Sequence, residues 1–255
     1  MPRDVWLIFR RDMVLALRNP AWIMIGLMQP VLYLFFFGPL LESITENTPG
    51  FPPGTAWQIL TPALIIQIAL FGSSFVGFAL LAELRTGVVE RLRVTPVSRM
   101  ALLMGRVLRD ALQTVVQAIL IIVLAFLVFD LKASFGAIVL TLVIVGLMSV
   151  TLSSCSYALA LRIKDENAFP AILNTVLMPI LLLSGIFIPI TQGLAPDWLY
   201  NVSRWNPFTH VVDAERASFR GDFTTDALLT GSLVLVGMTV LGVFWGVRTF
   251  QRENA

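Results

Sequence analysis

Histidine and cysteine each occur once in this 255-residue chain, as His210 and Cys155, and lysine only twice, as Lys132 and Lys164. The lone cysteine excludes an intrachain disulfide and reads as a small buried apolar residue. The lone histidine removes every metal site built on paired histidines, H-E-x-x-H among them. Neither lysine lies in a glycine-rich loop, so the sequence holds no G-x-x-x-x-G-K-[ST] phosphate loop. No G-x-S-x-G is present. Charge is scarce throughout: Asp, Glu, Lys and Arg make up 13% of the residues, against about 25% in a soluble domain.

What fills the space is apolar. Hydrophobic residues form 57% of the chain and the mean hydropathy is +0.83, more apolar surface than one water-soluble core can hide. The composition is that of an integral membrane protein. Uncharged runs cover 19–41, 47–82, 111–129, 133–161, 167–196 and 227–247. Each is near or above the roughly 20 residues a helix needs to cross the hydrocarbon core. Because a backbone in lipid must satisfy its own hydrogen bonds, these runs predict helices. Pro49, Pro52, Pro53, Gly50 and Gly54 mark the start of the second run as loop. The expected spans are 21–41, 57–83, 104–129, 135–161, 170–189 and 226–247. No internal repeat or low-complexity stretch divides the chain, so one membrane domain is expected over 1–255. A secretory signal peptide is not expected, since Arg10, Arg11 and Arg18 interrupt the apolar stretches near the start.

Six spans put both ends on one side. Fourteen of the 18 basic residues fall there: Arg3, Arg10, Arg11, Arg18, Arg85, Arg91, Arg93, Arg99, Arg106, Arg109, Arg162, Lys164, Arg248 and Arg252. Lys132, Arg204, Arg216 and Arg220 fall on the other. The excess of positive charge predicts cytoplasmic termini. Within residues 1–18, Arg3, Arg10, Arg11 and Arg18 share one helical face, with Val5, Trp6, Phe9, Met13 and Ala16 largely opposite. This is the pattern of an amphipathic helix in the membrane interface.

The same side carries LRTGVVERLRVTPVSR, residues 84–99. As a plain topogenic loop its arginines would only fix orientation. Val88, Val89 and Leu92, however, alternate with Glu90, Arg91 and Arg93, and Gly87 and Pro96 bracket them. A short amphipathic helix of this kind can press into a groove on a partner protein. Within the spans, charge is absent from the middle; Glu83 and Asp110 fall near span ends, where snorkelling accounts for them. Ion-coupled transport and voltage sensing lack their usual mid-membrane group.

The run LRTGVVERLRVTPVSRMALLMGR resembles the cytoplasmic loop of ABC-2-type ABC-transporter permeases, especially daunorubicin-resistance-like exporters. The matching residues are Glu83, Gly87, Glu90, Arg91 and Thr95-Pro96-Val97-Ser98-Arg99. A second stretch, LLLSGIFIPITQGLAPDWLYNVSRWNPFTHVVDAERASF, is similar to the family's sequence after span five. It matches through Ser184, Gly185, Pro189, Pro196, Trp198, Leu199, Asn206-Pro207-Phe208-Thr209, Asp213 and Arg216, with Ala214-Glu215-Arg216 a minor departure.

The resemblance implies an all-α polytopic membrane protein with six transmembrane helices. An N-terminal interfacial helix, a cytoplasmic coupling helix and an external re-entrant segment before the last helix complete that architecture. It implies a multi-pass permease of the bacterial plasma (inner) membrane that is not itself an enzyme and has no cofactor of its own. ATP and Mg would be bound by a partner dimer of ABC ATPase subunits, and a second permease copy or paralogue would complete the pore. The ATPase-coupling candidates are Glu83, Gly87, Glu90, Arg91, Arg93, Thr95 and Pro96. In the family, spans two and five line the route. Polar and aromatic residues there supply the substrate-path candidates Gln67, Phe71, Ser74, Phe75, Phe78, Asn174 and Thr175, although polar groups in lipid also join helices. The external-gate candidates are Gly185, Pro189, Pro207, Asp213 and Arg216.

The function implied is export of hydrophobic or amphipathic molecules such as a drug, natural product or lipid-linked compound. A polysaccharide, glycolipid or sodium exporter shares this architecture. A membrane-embedded lipid-modifying enzyme and an ATPase-independent channel or scaffold are the rivals from other classes. Nothing in the composition points to nucleic acid.

Overall fold

The computed structural model describes residues 2–18, 21–47, 53–87 and 98–252. Among them the chain is all-α. Helices α1 (Pro2–Arg18), α2 (Ala21–Asn47), α3 (Ala56–Ser74), α4 (Val76–Arg85) and α5 (Arg99–Val128) are followed by α6 (Phe135–Ile163) and α7 (Ala168–Leu183). Two short helices, α8 (Asp197–Arg204) and α9 (Pro207–Phe219), precede the last, α10 (Asp226–Arg252). Glu90, Arg91, Arg93, Thr95 and Pro96 lie outside the described residues.

Local chemistry starts several helices where the polarity changes. Thr55 caps α3 by accepting from the Gln58 amide, and the Gln58 side chain accepts from the Thr55 N–H, a complete capping box. Ser98 and Ser134 accept from Ala101 N and Ala137 N and begin α5 and α6 in the same way.

Among the described residues five stretches are long and apolar enough to cross a membrane: Met24–Ile44, Ala56–Arg85, Met100–Val128, Phe135–Ile163 and Asp226–Arg252. The stretch expected at 170–189 forms a helix of 16 residues, a rise of about 24 Å at 1.5 Å per residue. That falls short of the ~30 Å hydrocarbon core, so length and composition alone yield five spans rather than six. The helix stops at Ser184, and Gly185 takes a left-handed φ of +71° that turns the chain back.

The second span is not one helix. Between α3 and α4 the regular ladder breaks at Phe75, and Ser156 of α6 enters the gap. Its hydroxyl accepts from Gly77 N at 2.9 Å and donates to Ser74 O. A side chain inserted into the helix ladder is a recognised cause of a kink. Gly77 is required here, since a Cβ would sit 2.6 Å from Ser156 O and 2.7 Å from the Phe169 ring.

Small residues and buried hydroxyls join the helices, as expected where no hydrophobic drive separates helix from lipid. Gly242 and Gly246 of α10 pack on Thr151, Cys155 and Ser154 of α6, and Thr151 Oγ1 donates to Thr239 Oγ1 at 2.8 Å. Ser73 donates to Ser149 at 2.7 Å, with Thr114 alongside, so α3, α5 and α6 share one hydroxyl cluster. Helix α1 lies against α5. Ile8 and Phe9 are its buried residues, with Ile8 over Gly105, whereas Trp6 is exposed. Its arginines stay exposed, as the expected interfacial helix requires.

Candidate functional site

A cavity of about 760 Å³ opens between α1, α2, α3, α4, α5 and α6. Its two ends differ. One wall is aromatic and apolar, from Phe71, Phe75, Ile68 and Pro30, with the exposed Phe78 beside them. The other end gathers Asp12 of α1, Glu83 of α4, Arg106, Arg109 and Asp110 of α5 and Tyr157 of α6. Gln29, Gln113 and Gln117 line the space between, and Gln67 lies on the wall of α3.

The charged end is a network. Arg106 pairs with Glu83, and Arg109 Nη1 pairs with Asp110 Oδ1 at 3.0 Å. Tyr157 donates to Asp110 Oδ2 at 2.6 Å. Asp110 is only 2% exposed and stands about 16 Å along α5 from its first residue at 1.5 Å per residue. Snorkelling to a headgroup therefore does not account for it: its partners are a guanidinium and a phenol inside the bundle. Asp12 lines the same end with no cation at ion-pair distance among the described residues. Burial raises its carboxyl above the ordinary range, opposed by Arg106, Arg109 and Arg11, while Glu83 adds to the rise.

Four of the substrate-path candidates meet here: Gln67, Phe71, Phe75 and Phe78 all line the cavity. Gln67 is 2% exposed, and neither atom of its side-chain amide has a hydrogen-bond partner. Ser74 is buried and packs toward Ser156 rather than on the cavity wall. Asn174 and Thr175 are exposed on α7, away from the cavity, and Thr175 Oγ1 donates back to Ala171 O at 2.8 Å.

Of the coupling candidates within the described residues, Glu83 ends α4 beside Arg106, and Gly87 follows with a φ of +71°. Arg85 reaches Glu166, in the α6–α7 connection, at 3.1 Å.

At the opposite end of the bundle the gate candidates surround the finish of α7. Arg216 of α9 is 2% exposed. Its Nε donates to Ile59 O at 3.2 Å, and its Nη2 to Gly185 O at 2.8 Å and Ile186 O at 3.1 Å. Asn206 Nδ2 donates to Ile180 O and Thr209 Oγ1 to Leu183 O. Side chains of the N-P-F-T…R motif thus bond carbonyls at and just past the end of α7 and one in α3. Pro207 opens α9 at its first turn, Pro189 is buried, and Asp213 pairs with Arg204 at 2.8 Å.

Sequence reasoning missed Asp12, Arg109, Asp110 and Tyr157 as a group, and Glu215. The signal was an acid and a base side by side inside an apolar run, which a membrane segment tolerates only when both find partners.

The chain matches the family described as ABC-2 type transporter over residues 3–219. It belongs to the ABC-2 type transporter family. Within the curated relatives it is 24% identical over 221 residues to the transport permease ycf38 of Porphyra purpurea, covering 86% of this chain and 74% of that one. It is 24% identical over 229 residues to the daunorubicin resistance ABC transporter permease protein DrrB1 of Streptomyces coeruleorubidus, covering 88% and 76%. This ABC-2 chain is accordingly a multi-pass membrane protein with a transport role, a permease rather than an enzyme, from a family that works with an ATPase partner.

Proposed function

We propose that this permease is the membrane subunit of an ATP-driven exporter that moves hydrophobic or amphipathic molecules out of the cytoplasm across a bacterial plasma membrane. Two copies, or one copy and a paralogue, form the pore with both termini cytoplasmic. ATPase subunits, which bind ATP and Mg, dock on residues 84–99. The observation that carries this reading is the cavity: a drug-sized space with an aromatic wall and a polar end, in the volume range of small-molecule sites. The relative named for daunorubicin resistance supports a drug-like substrate.

The charged network gives the motor something to pull. Force on residues 84–99 reaches α4 directly. From there the Glu83–Arg106 pair carries it to α5, and Asp110–Tyr157 carries it to α6. The test is co-purification of a tagged chain with an ATPase subunit from its own host, followed by reconstitution. Hydrophobic ligands stimulate the ATPase activity of that complex if the reading holds. Reversing charge at Glu90 or Arg91 uncouples hydrolysis from transport while membrane insertion continues. Recovery of the chain without any ATPase subunit rejects it.

A further inference from the structure

The two guanidiniums at the charged end of the cavity are already committed, Arg106 to Glu83 and Arg109 to Asp110. Both still act on the third acid, Asp12, across the cavity, but among the described residues no cation stands at ion-pair distance from it. Its chain neighbour Arg11 also bears on it, and that side chain is exposed and screened by water. A half-buried carboxylate in this position attracts a positive group that arrives with a ligand. The aromatic wall determines what else that ligand carries. Phe71, Phe75 and Phe78 offer ring faces and edges to an apolar body. Gln67, nine-tenths buried or more and unpartnered, offers one donor and one acceptor at that depth. An unpartnered buried amide costs about 1–3 kcal/mol that a ligand's hydrogen bond would recover.

We propose that this cavity, within a single protomer, is a site for an amphiphilic amine, with the ammonium held by Asp12 of the interfacial helix and the apolar body against Phe71 and Phe75. The proposal rests on the export reading for its purpose and names the class of substrate, but the site is defined without any motor. Asp12 is its selectivity residue. An amine meets an unpaired carboxylate there; a neutral or acidic molecule of the same shape meets a desolvated charge that it cannot satisfy.

The test is a fluorescence titration of the full chain in phosphatidylcholine nanodiscs. The probes are a naphthyl-substituted long-chain primary amine, its N-acetyl amide and the matching carboxylic acid. The wild type binds the amine about tenfold or more tightly than the amide, the size expected for a charge-assisted hydrogen bond over a neutral one. Asp12→Asn removes that ratio by weakening the amine alone, and Asp12→Glu restores it. Phe71→Leu and Gln67→Leu weaken amine and amide together. Equal binding of amine and amide to the wild type overturns the proposal, as does a ratio that survives Asp12→Asn. Phosphatidylethanolamine added to the nanodiscs distinguishes the source: competition assigns the ammonium to a lipid headgroup, and no competition assigns it to a soluble amphiphile. A chain that selects the amine but never stimulates an ATPase keeps this site and rejects the export reading.

Discussion

The two ends of the bundle treat buried polarity in opposite ways. Around the finish of α7, Arg216, Asn206 and Thr209 each spend their donors on named carbonyls, and three separate segments are tied to one short helix. Around the cavity, ions are paired side by side with an open space between helices, an unpaired Asp12 and an unsatisfied Gln67. The first arrangement fixes geometry. The second leaves polar groups open to a new partner.

The sharpest way to break this comparison is at Arg216. Arg216→Met removes three hydrogen bonds from a buried site and is expected to cost about 3–5 kcal/mol. It should be read as loss of monodisperse protein or a large fall in the thermal midpoint in detergent. A wild-type midpoint would show that the capped end is not the rigid one. Next comes Asp110→Leu, which takes the counter-ion from Arg109 and the acceptor from Tyr157 and should cost about 3 kcal/mol. Tyr157→Phe, removing one hydrogen bond, should cost about 1 kcal/mol, and a double-mutant cycle of the two should show strong coupling.

Glu215 gives a smaller, pH-dependent effect. It is fully buried with Thr141 Oγ1 donating to Oε2 at 2.6 Å and Oε1 unpartnered, and burial, the largest cause, raises its carboxyl well above the ordinary range. The folded state therefore holds this proton more tightly than the unfolded chain. Its stabilising contribution is full below the ordinary carboxylate range and is lost as pH climbs through the raised value. Glu215→Gln should flatten that dependence in thermal melts across the same window. The smallest effect belongs to Arg85, 80% exposed in its pair with Glu166. Arg85→Ala should shift stability by under about 0.5 kcal/mol, less in high salt.

Much of this architecture was legible in the sequence because lipid makes local demands. A span must be apolar and helical within itself, so α6 begins at Phe135 as expected and α10 at Asp226. The N-P-F-T…R motif was legible as a pattern, but its role required seeing which carbonyls lay 26 to 157 residues away. Asp110 misled for the same reason. Its partner Tyr157 is 47 residues distant, so charge near a span end looked like snorkelling. The break in span two has no proline at Phe75 to announce it; Gly72-Ser73-Ser74 and Gly77 flank the position, and the hydroxyl that holds the bend comes from another helix. Aromatics at 71, 75 and 78 pointed to one face of span two, and that face does line the cavity.

Ser156 has the character of a rivet. Holding the bend, it occupies one donor and one acceptor of the neighbouring backbone, the Gly77 N–H and the Ser74 carbonyl. Neither group is therefore offered bare to the lipid at the point where the helix changes direction. A bend fastened in this way needs no water at its vertex, which an oily medium could not supply.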